Sequence, residues 1–196
     1  MTEQDAVQDD RVRCWGGPDD PLMMRYHDEQ WGFPVHDDRQ LFESLILDGF
    51  QAGLSWRTIL HKRENFREAF SGFDPEKVSR YGEADIQRLL VNAGIVRNRL
   101  KIKAAVSNAG HFIKVQREFG SFSSYIWGFT GGKTLRNEDG VAAGTVPAST
   151  PESDALSADL KGRGFRFVGT TICYAVMQSV GLVNDHLDTC WRVTER

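Results

Sequence analysis

The sequence predicts an all-α fold. Three observations carry that reading. Apolar residues recur at helical spacing, most clearly Ile102, Ala105, Val106, Ala109, Phe112 and Ile113 in one long stripe. Asp74-Pro75-Glu76 and Thr150-Pro151-Glu152 each set a capping oxygen before a proline at the first helical position. No segment alternates apolar and polar residues as a half-buried strand does, and no internal repeat is found.

Residues 1–12 are polar and acidic and read as a disordered tail; residues 13–196 read as a single domain. Residues 13–36, rich in Gly, Pro, Trp and Asp, predict irregular structure with a short helix at 21–30. Asp37 or Asp38 caps a helix to about 49, with Leu41, Leu45 and Ile46 inward. Ser55 caps a second helix, through Phe70, with Ile59 and Phe66 inward. Asp74 opens a short helix that closes near Gly82. A helix over 84–93 carries Ile86, Leu89, Leu90 and Ala93. After Gly94 the long striped helix spans about 99 to 118. Residues 122–129 predict a short aromatic helix, and the glycine-rich 130–149 segment a long surface loop. Thr150 caps a helix to about 162, and a last apolar helix covers 170–180, with Gly181 as its stop.

Composition narrows the function. The chain has 196 residues, 40% hydrophobic and 26% charged, as in an ordinary globular protein. Its net charge of -3 does not advertise nucleic-acid binding, which would need a local basic patch. Three cysteines without a tight framework argue against a disulfide scaffold and for the reducing cytoplasm. The N-terminal residues lack the apolar core of a signal peptide, and no apolar run is long enough to span a membrane.

Four residues near the two ends could form a clip. Cys14 and His27 stand near the N-terminus, His186 and Cys190 near the C-terminus. Two Cys and two His make a closed tetrahedral zinc site of the structural kind. The spacing of His186 and Cys190 would set them one helical turn apart on one face. The competing reading is that all four are core or surface residues, because a shared ion requires the fold to unite the ends.

Two stretches could carry chemistry. The helices flanking Gly94-Ile95-Val96-Arg97-Asn98 form a helix-hairpin-helix unit whose turn can offer backbone N–H groups to a phosphate. Arg97, Arg99, Lys101 and Lys103 add local positive charge. A solvated helical hairpin with a basic face is the alternative. The second stretch runs from Asp48 to Trp56. It supplies a carboxylate and a flat ring suited to a purine pocket, and Leu54 could wedge into a base stack. Here the alternative is a helix–helix corner with Leu54 and Trp56 in the core. Tyr26 and Trp15 are candidates for the same pocket. Cys173, amid apolar residues, reads as a buried structural thiol, and His36, His61 and His111 as surface residues.

These residues lie in longer runs with a family likeness. Tyr26-His27-Asp28-Glu29-Gln30-Trp31-Gly32, Gln51-Ala52-Gly53-Leu54-Ser55-Trp56, Lys62-Arg63-Glu64-Asn65-Phe66, 163–174 and Gly181-Leu182-Val183-Asn184-Asp185-His186 resemble the bacterial DNA-3-methyladenine glycosylase I family, over roughly residues 13–190. The resemblance implies the helix-hairpin-helix glycosylase fold, excision of 3-methyladenine from double-stranded DNA, and one structural zinc held by Cys14, His27, His186 and Cys190. It also implies a base pocket containing Tyr26, Asp48 and Trp56, with Leu54 at the gap left in the duplex. Gly94, Arg97, Arg99 and Lys101 become the expected DNA contacts of the hairpin, and a monomer is expected.

Two departures stand out. The family often has Glu where this chain has Asp48, and commonly has Trp two residues after the first Cys, where this chain has Trp15 directly after it. No Asp occurs from 86 to 138, so the carboxylate that many relatives place after the hairpin is missing. A cationic base is already a good leaving group, so the expected chemistry is recognition and orientation by Asp48, with Trp56 stacked on the charged ring.

Overall fold

A computed structural model describes residues 10–194; the first nine residues of the expected tail lie outside them. Among the described residues the chain is helical, with one isolated parallel bridge between Leu135 and Val183.

Eleven α-helices are described. They are α1 (Pro21–Glu29), α2 (Asp38–Gln51), α3 (Trp56–Leu60), α4 (Arg63–Ala69), α5 (Pro75–Val78), α6 (Glu83–Val91), α7 (Arg99–Phe119), α8 (Phe122–Trp127), α9 (Pro151–Gly162), α10 (Thr170–Ser179) and α11 (Trp191–Thr194). Side-chain caps open most of them. Asp37 accepts from Gln40 N, Ser55 from Thr58 N, Asp74 from Lys77 N and Thr150 from Ser153 N.

Helix α2 is the central element. It packs against α3, α7, α8 and α10. Leu41, Phe42, Leu45, Ile46, Leu47 and Phe50 are all buried, more faces than a surface helix covers. Aromatic contacts spread outward from it: Phe42 meets Phe112 edge-on at 5.0 Å, and Phe50 meets Phe66 at 4.8 Å.

Two expectations need correction. The helix expected from Ser55 through Phe70 breaks after Leu60, and α4 begins at Arg63. No Gly or Pro marks the break. It lets α3 pack on α1 while Phe66 turns toward Phe50. His111 is only partly exposed; its imidazole lies against Gly164, and its Nδ1 is buried with no hydrogen-bond partner among the described residues.

The 130–149 segment is largely exposed and forms no helix beyond Thr130, as expected of a surface loop, but part of it is fastened to the C-terminal segment. Leu135 N donates to Leu182 O and Asn184 N to Leu135 O, both at 2.8 Å. Arg136 donates to the carbonyls of Asn184 and His186 and pairs with Asp188. Residues 134–141 are thereby laid along 181–188.

The two ends also meet. Trp191 N donates to Val12 O at 3.0 Å, and the Arg11 guanidinium lies 4.3 Å from the Trp191 ring centroid. Residues 11 and 12, expected in the tail, are thus packed on the C-terminal helix.

Candidate active site

The junction of α1, α2, α3 and α10 encloses a cavity of about 540 Å³, within the range of small-molecule sites. Tyr26 comes from α1, Asp48 and Gln51 from α2, Trp56 from the first turn of α3, and Gln178 and Ser179 from α10. Trp15 joins them, so the departure in its position does not remove it from the wall. Asp48 and Trp56 therefore share one cavity, as a base slot requires.

Asp48 is 2% exposed. Burial pushes its carboxyl up to about 7, against the opposing hydrogen bond from Ser179. That bond runs from Ser179 Oγ to Asp48 Oδ2 at 3.3 Å. Burial and the nearby Asp48 charge push the Tyr26 phenol well above its ordinary value, so Tyr26 stays a neutral O–H donor. Its ring lies 5.2 Å from Trp56 and 5.9 Å from Trp15. The buried Nε1 of Trp56 has no hydrogen-bond partner among the described residues, an unmet donor in a residue of the cavity wall.

Sequence reasoning missed several wall residues. Ser179 and Gln178 were read only as part of an apolar helix. Gln178 Nε2 donates to Asp185 Oδ2 at 2.7 Å, and Tyr174 Oη donates to the same oxygen at 2.6 Å. Ala143, Gly144 and Val146 of the 130–149 segment form another side, with no chemical signal to announce them. Trp31 and Leu187 complete the part nearest the termini.

The expected metal ligands are drawn together, with one difference. The ligand atoms of Cys14, His27 and Cys190 lie within 4.8 Å of one another. His186 stands beside this group, its ring centroid 5.1 Å from that of His27. His186 and Cys190 are not on a helical turn: residues 184–187 belong to no helix or strand, and Cys190 N closes a turn onto Leu187 O at 2.7 Å. The helical premise was wrong, although the fold still brings both residues close.

The donor set fits a divalent metal. His27 Nδ1 is 2.8 Å from Asp28 Oδ1, which turns Nε2 toward Cys190 Sγ at 3.4 Å. A carboxylate behind an imidazole is the usual support of a metal-binding histidine. Burial lowers the His27 pKa and favours the neutral ring that a metal needs, with Asp28 opposing. Burial, with Cys190 adding to it, raises the Cys14 thiol to about 12 against the Leu187 N–H; a cation between the sulfurs would reverse that preference. Cys14 also lines the cavity, so the cluster and the slot share a wall.

The hairpin residues divide. Arg97 is exposed in the turn, and Arg99 is exposed and 3.1 Å from Glu83. The N–H of Gly94 is taken by Asn92 Oδ1 at 2.8 Å, whereas those of Val96 and Arg97 donate to no protein acceptor among the described residues. Lys101 is not on the exposed basic face where the sequence reading put it. It is 8% exposed, and its Nζ donates to Phe50 O at 2.9 Å and Ala52 O at 2.6 Å. Leu54 is 42% exposed at the tip of the adjoining turn. Cys173 is buried and its Sγ faces Val168 O, as expected of a structural thiol. No helix of the described residues is long and apolar enough to cross a membrane.

Comparison with known proteins places this geometry. A family model described as methyladenine glycosylase matches residues 15–193. DNA-3-methyladenine glycosylase 1 of Escherichia coli strain K12 is 47% identical over 178 residues, which are 91% of this chain and 95% of that protein. A crystal structure of 3-methyladenine DNA glycosylase I superposes with a TM-score of 0.88 at 48% identity, covering 92% of this chain and 98% of that one. A substituted 3-methyladenine DNA glycosylase I in complex with 3-methyladenine gives a TM-score of 0.85 at 37% identity, with coverages of 88% and 92%.

Proposed function

The chain belongs to the methyladenine glycosylase family, enzymes that hydrolyse N-glycosyl bonds, and from that premise we propose that it excises 3-methyladenine from duplex DNA after the nucleotide is turned out of the stack. The observation that carries the reading is the buried Asp48 carboxylate in one cavity with Trp56, Tyr26 and Trp15. An aromatic-walled cavity with a buried acid in its wall suits a flat, cationic purine. The second acid there, Asp185, is already taken by Tyr174 and Gln178.

The lesion supplies much of the driving force. Its base is positively charged, so breaking the C1′–N9 bond returns the bonding electrons to the ring and releases neutral 3-methyladenine. Water adds to C1′ and gives its proton to solvent. Ionised Asp48 attracts the cationic base and hydrogen-bonds its edge, and Trp56 stacks on it. Neutral adenine lacks the attraction and leaves poorly, so selection acts at binding and at bond cleavage. Asp48 is one methylene shorter than the Glu common in the family, and Ser179 Oγ donates to its Oδ2 at 3.3 Å.

On the DNA side, Arg97 and the free N–H groups of Val96 and Arg97 take a backbone phosphate, with Arg99 beside them. Leu54 occupies the space left by the extruded base. Cys14, His27 and Cys190, with His186 as fourth ligand, hold a structural zinc that fastens the ends and does no chemistry on the base.

The test is a product survey. Methylated duplex DNA is incubated with the protein and the free bases are separated. Release of 3-methyladenine with retention of 7-methylguanine is expected. DNA binding without any released base would reduce the chain to a binding module.

A further inference from the structure

Two lysines tie the hairpin to its neighbours. Lys101 joins its second helix to the turn that carries Leu54. Lys62 joins its turn to the junction of α3, the helix that follows Leu54, and α4. Lys101 leaves the first turn of α7, where Asn98 Oδ1 accepts from its backbone N–H at 3.1 Å. Its ammonium reaches the C-terminal end of α2, at Phe50 O and Ala52 O. Those carbonyls have no intrahelical partners, and a cation there also complements the helix dipole. Immediately beyond, Gly53 turns at a φ of 77°, and Leu54 N closes onto Gln51 O at 2.6 Å. The second contact runs the other way. Lys62, just after α3, points its Nζ at Ala93 O and Gly94 O of the hairpin turn, both at 3.3 Å, and Asn65 Nδ2 also reaches Gly94 O.

A buried lysine is unusual unless it is paired. Desolvation lowers the Lys101 pKa, and no carboxylate offsets it. Among the described residues, the acceptors of its ammonium are the Phe50 and Ala52 carbonyls at the base of the Leu54 turn. Nothing in the cavity requires the contact. What the contact fixes is the distance between two exposed features, the hairpin turn and the Leu54 tip.

We propose that Lys101 and Lys62 are positioning residues that hold the hairpin turn and the Leu54 turn in fixed register, so that a duplex gripped at the hairpin meets Leu54 at the lesion. The proposal rests on the glycosylase reading and on the part that reading gives Leu54. Register matters only for duplex DNA, because a single strand needs no wedge to open it. A lysine that merely held the fold together would serve both substrates and the free base alike.

The test uses the full chain with Lys101→Met and Lys62→Met. Three quantities are measured: affinity for free 3-methyladenine by tryptophan fluorescence, single-turnover excision from a 3-methyladenine single strand, and excision from the corresponding duplex. For Lys101→Met we expect the first two to stay within about twofold of the parent and the duplex rate to fall about tenfold, a size typical of coupled neighbours. Lys62→Met should act in the same direction with a smaller factor, as its contacts are longer. Leu54→Ala should slow the parent on duplex DNA and add little to Lys101→Met. The proposal is overturned if Leu54→Ala costs the same factor in both backgrounds, or if Lys101→Met lowers all three quantities together. If Lys101→Met does not fold, Lys62→Met carries the same cycle. A parent protein that releases no base from either DNA would sink the glycosylase reading instead, a different result from either outcome for the lysines.

Discussion

Ser179 Oγ lies 3.3 Å from Asp48 Oδ2 and 3.0 Å from Val176 O, and its single proton must serve both acceptors. When Asp48 is protonated, the carboxyl can donate to Ser179 while Ser179 donates to Val176. When Asp48 is ionised, Ser179 must choose. The hydroxyl therefore lowers the cost of the charged acid without removing it. Ser179→Ala should move the acid limb of the kcat/KM profile to higher pH. Activity at pH 7 should fall by about three- to tenfold and recover by about pH 9. A uniform loss at every pH would mean that Ser179 shapes the slot and leaves the acid alone.

Asp48→Asn should keep the fold and lose 3-methyladenine excision, by roughly a hundredfold or more if the charge reads the cation. Stability should respond in the opposite direction. The folded-state value of about 7 lies above the ordinary 3.8. The acid therefore binds its proton more tightly when folded, and the stability this gives is present below pH 4 and lost as pH rises through 7. The full difference is on the order of 4 kcal/mol. Denaturant titrations should show Asp48→Asn gaining on the parent between pH 4 and pH 8. A constant difference across that range would contradict a buried, reluctantly ionised acid.

Cys190→Ala tests the clip. Removing one of the thiols around His27 should bring the zinc content measured by elemental analysis close to zero. Stability should fall by about 3 kcal/mol or more, because binding energy at such a site is folding energy. Free-base affinity should change less, since Cys190 does not line the slot. Folded, active parent protein containing no metal would dispose of the zinc.

Local signals made the helices legible. The stripe from Ile102 to Ile113 and the caps at Asp37, Ser55, Asp74 and Thr150 all correspond to helices in the structure. Asp48 and Trp56 are candidates as a charge and a ring close in sequence, and Tyr26 as a further ring for the same pocket. Spacing alone leaves a packed helix corner open, and it is the family resemblance that joins the three in one pocket. Other features depend on long-range contacts that spacing does not encode. Lys101 looks like any basic residue on an amphipathic helix until the end of α2 is found beneath it. Ser179 gains a role only because α10 crosses α2 at Asp48. Ala143 and Gly144 line the cavity because the segment before them is fastened to 181–188, although their own side chains carry no information.

Arg136 is the fastening, and replacing it gives the last prediction. Its guanidinium donates to Asn184 O at 3.0 Å and His186 O at 2.8 Å, and it pairs with Asp188. Asp188 in turn accepts from Val141 N at 3.0 Å and donates its own N–H to Val141 O at 2.9 Å. The arginine thus holds residues 134–141 in place just before Ala143, Gly144 and Val146 reach the cavity. Arg136→Met strips two carbonyls of charge-assisted donors, at a cost of about 2–4 kcal/mol. The wall should loosen before the helices do. The enzyme concentration giving half-maximal single-turnover excision should therefore rise more than the limiting rate falls. Lys at 136 should restore only part of the loss, because an ammonium cannot reproduce the planar fork. Thermal unfolding and excision kinetics on the same samples decide the matter. If Arg136→Met leaves both the melting temperature and the half-maximal concentration unchanged, the segment borders the slot without shaping it.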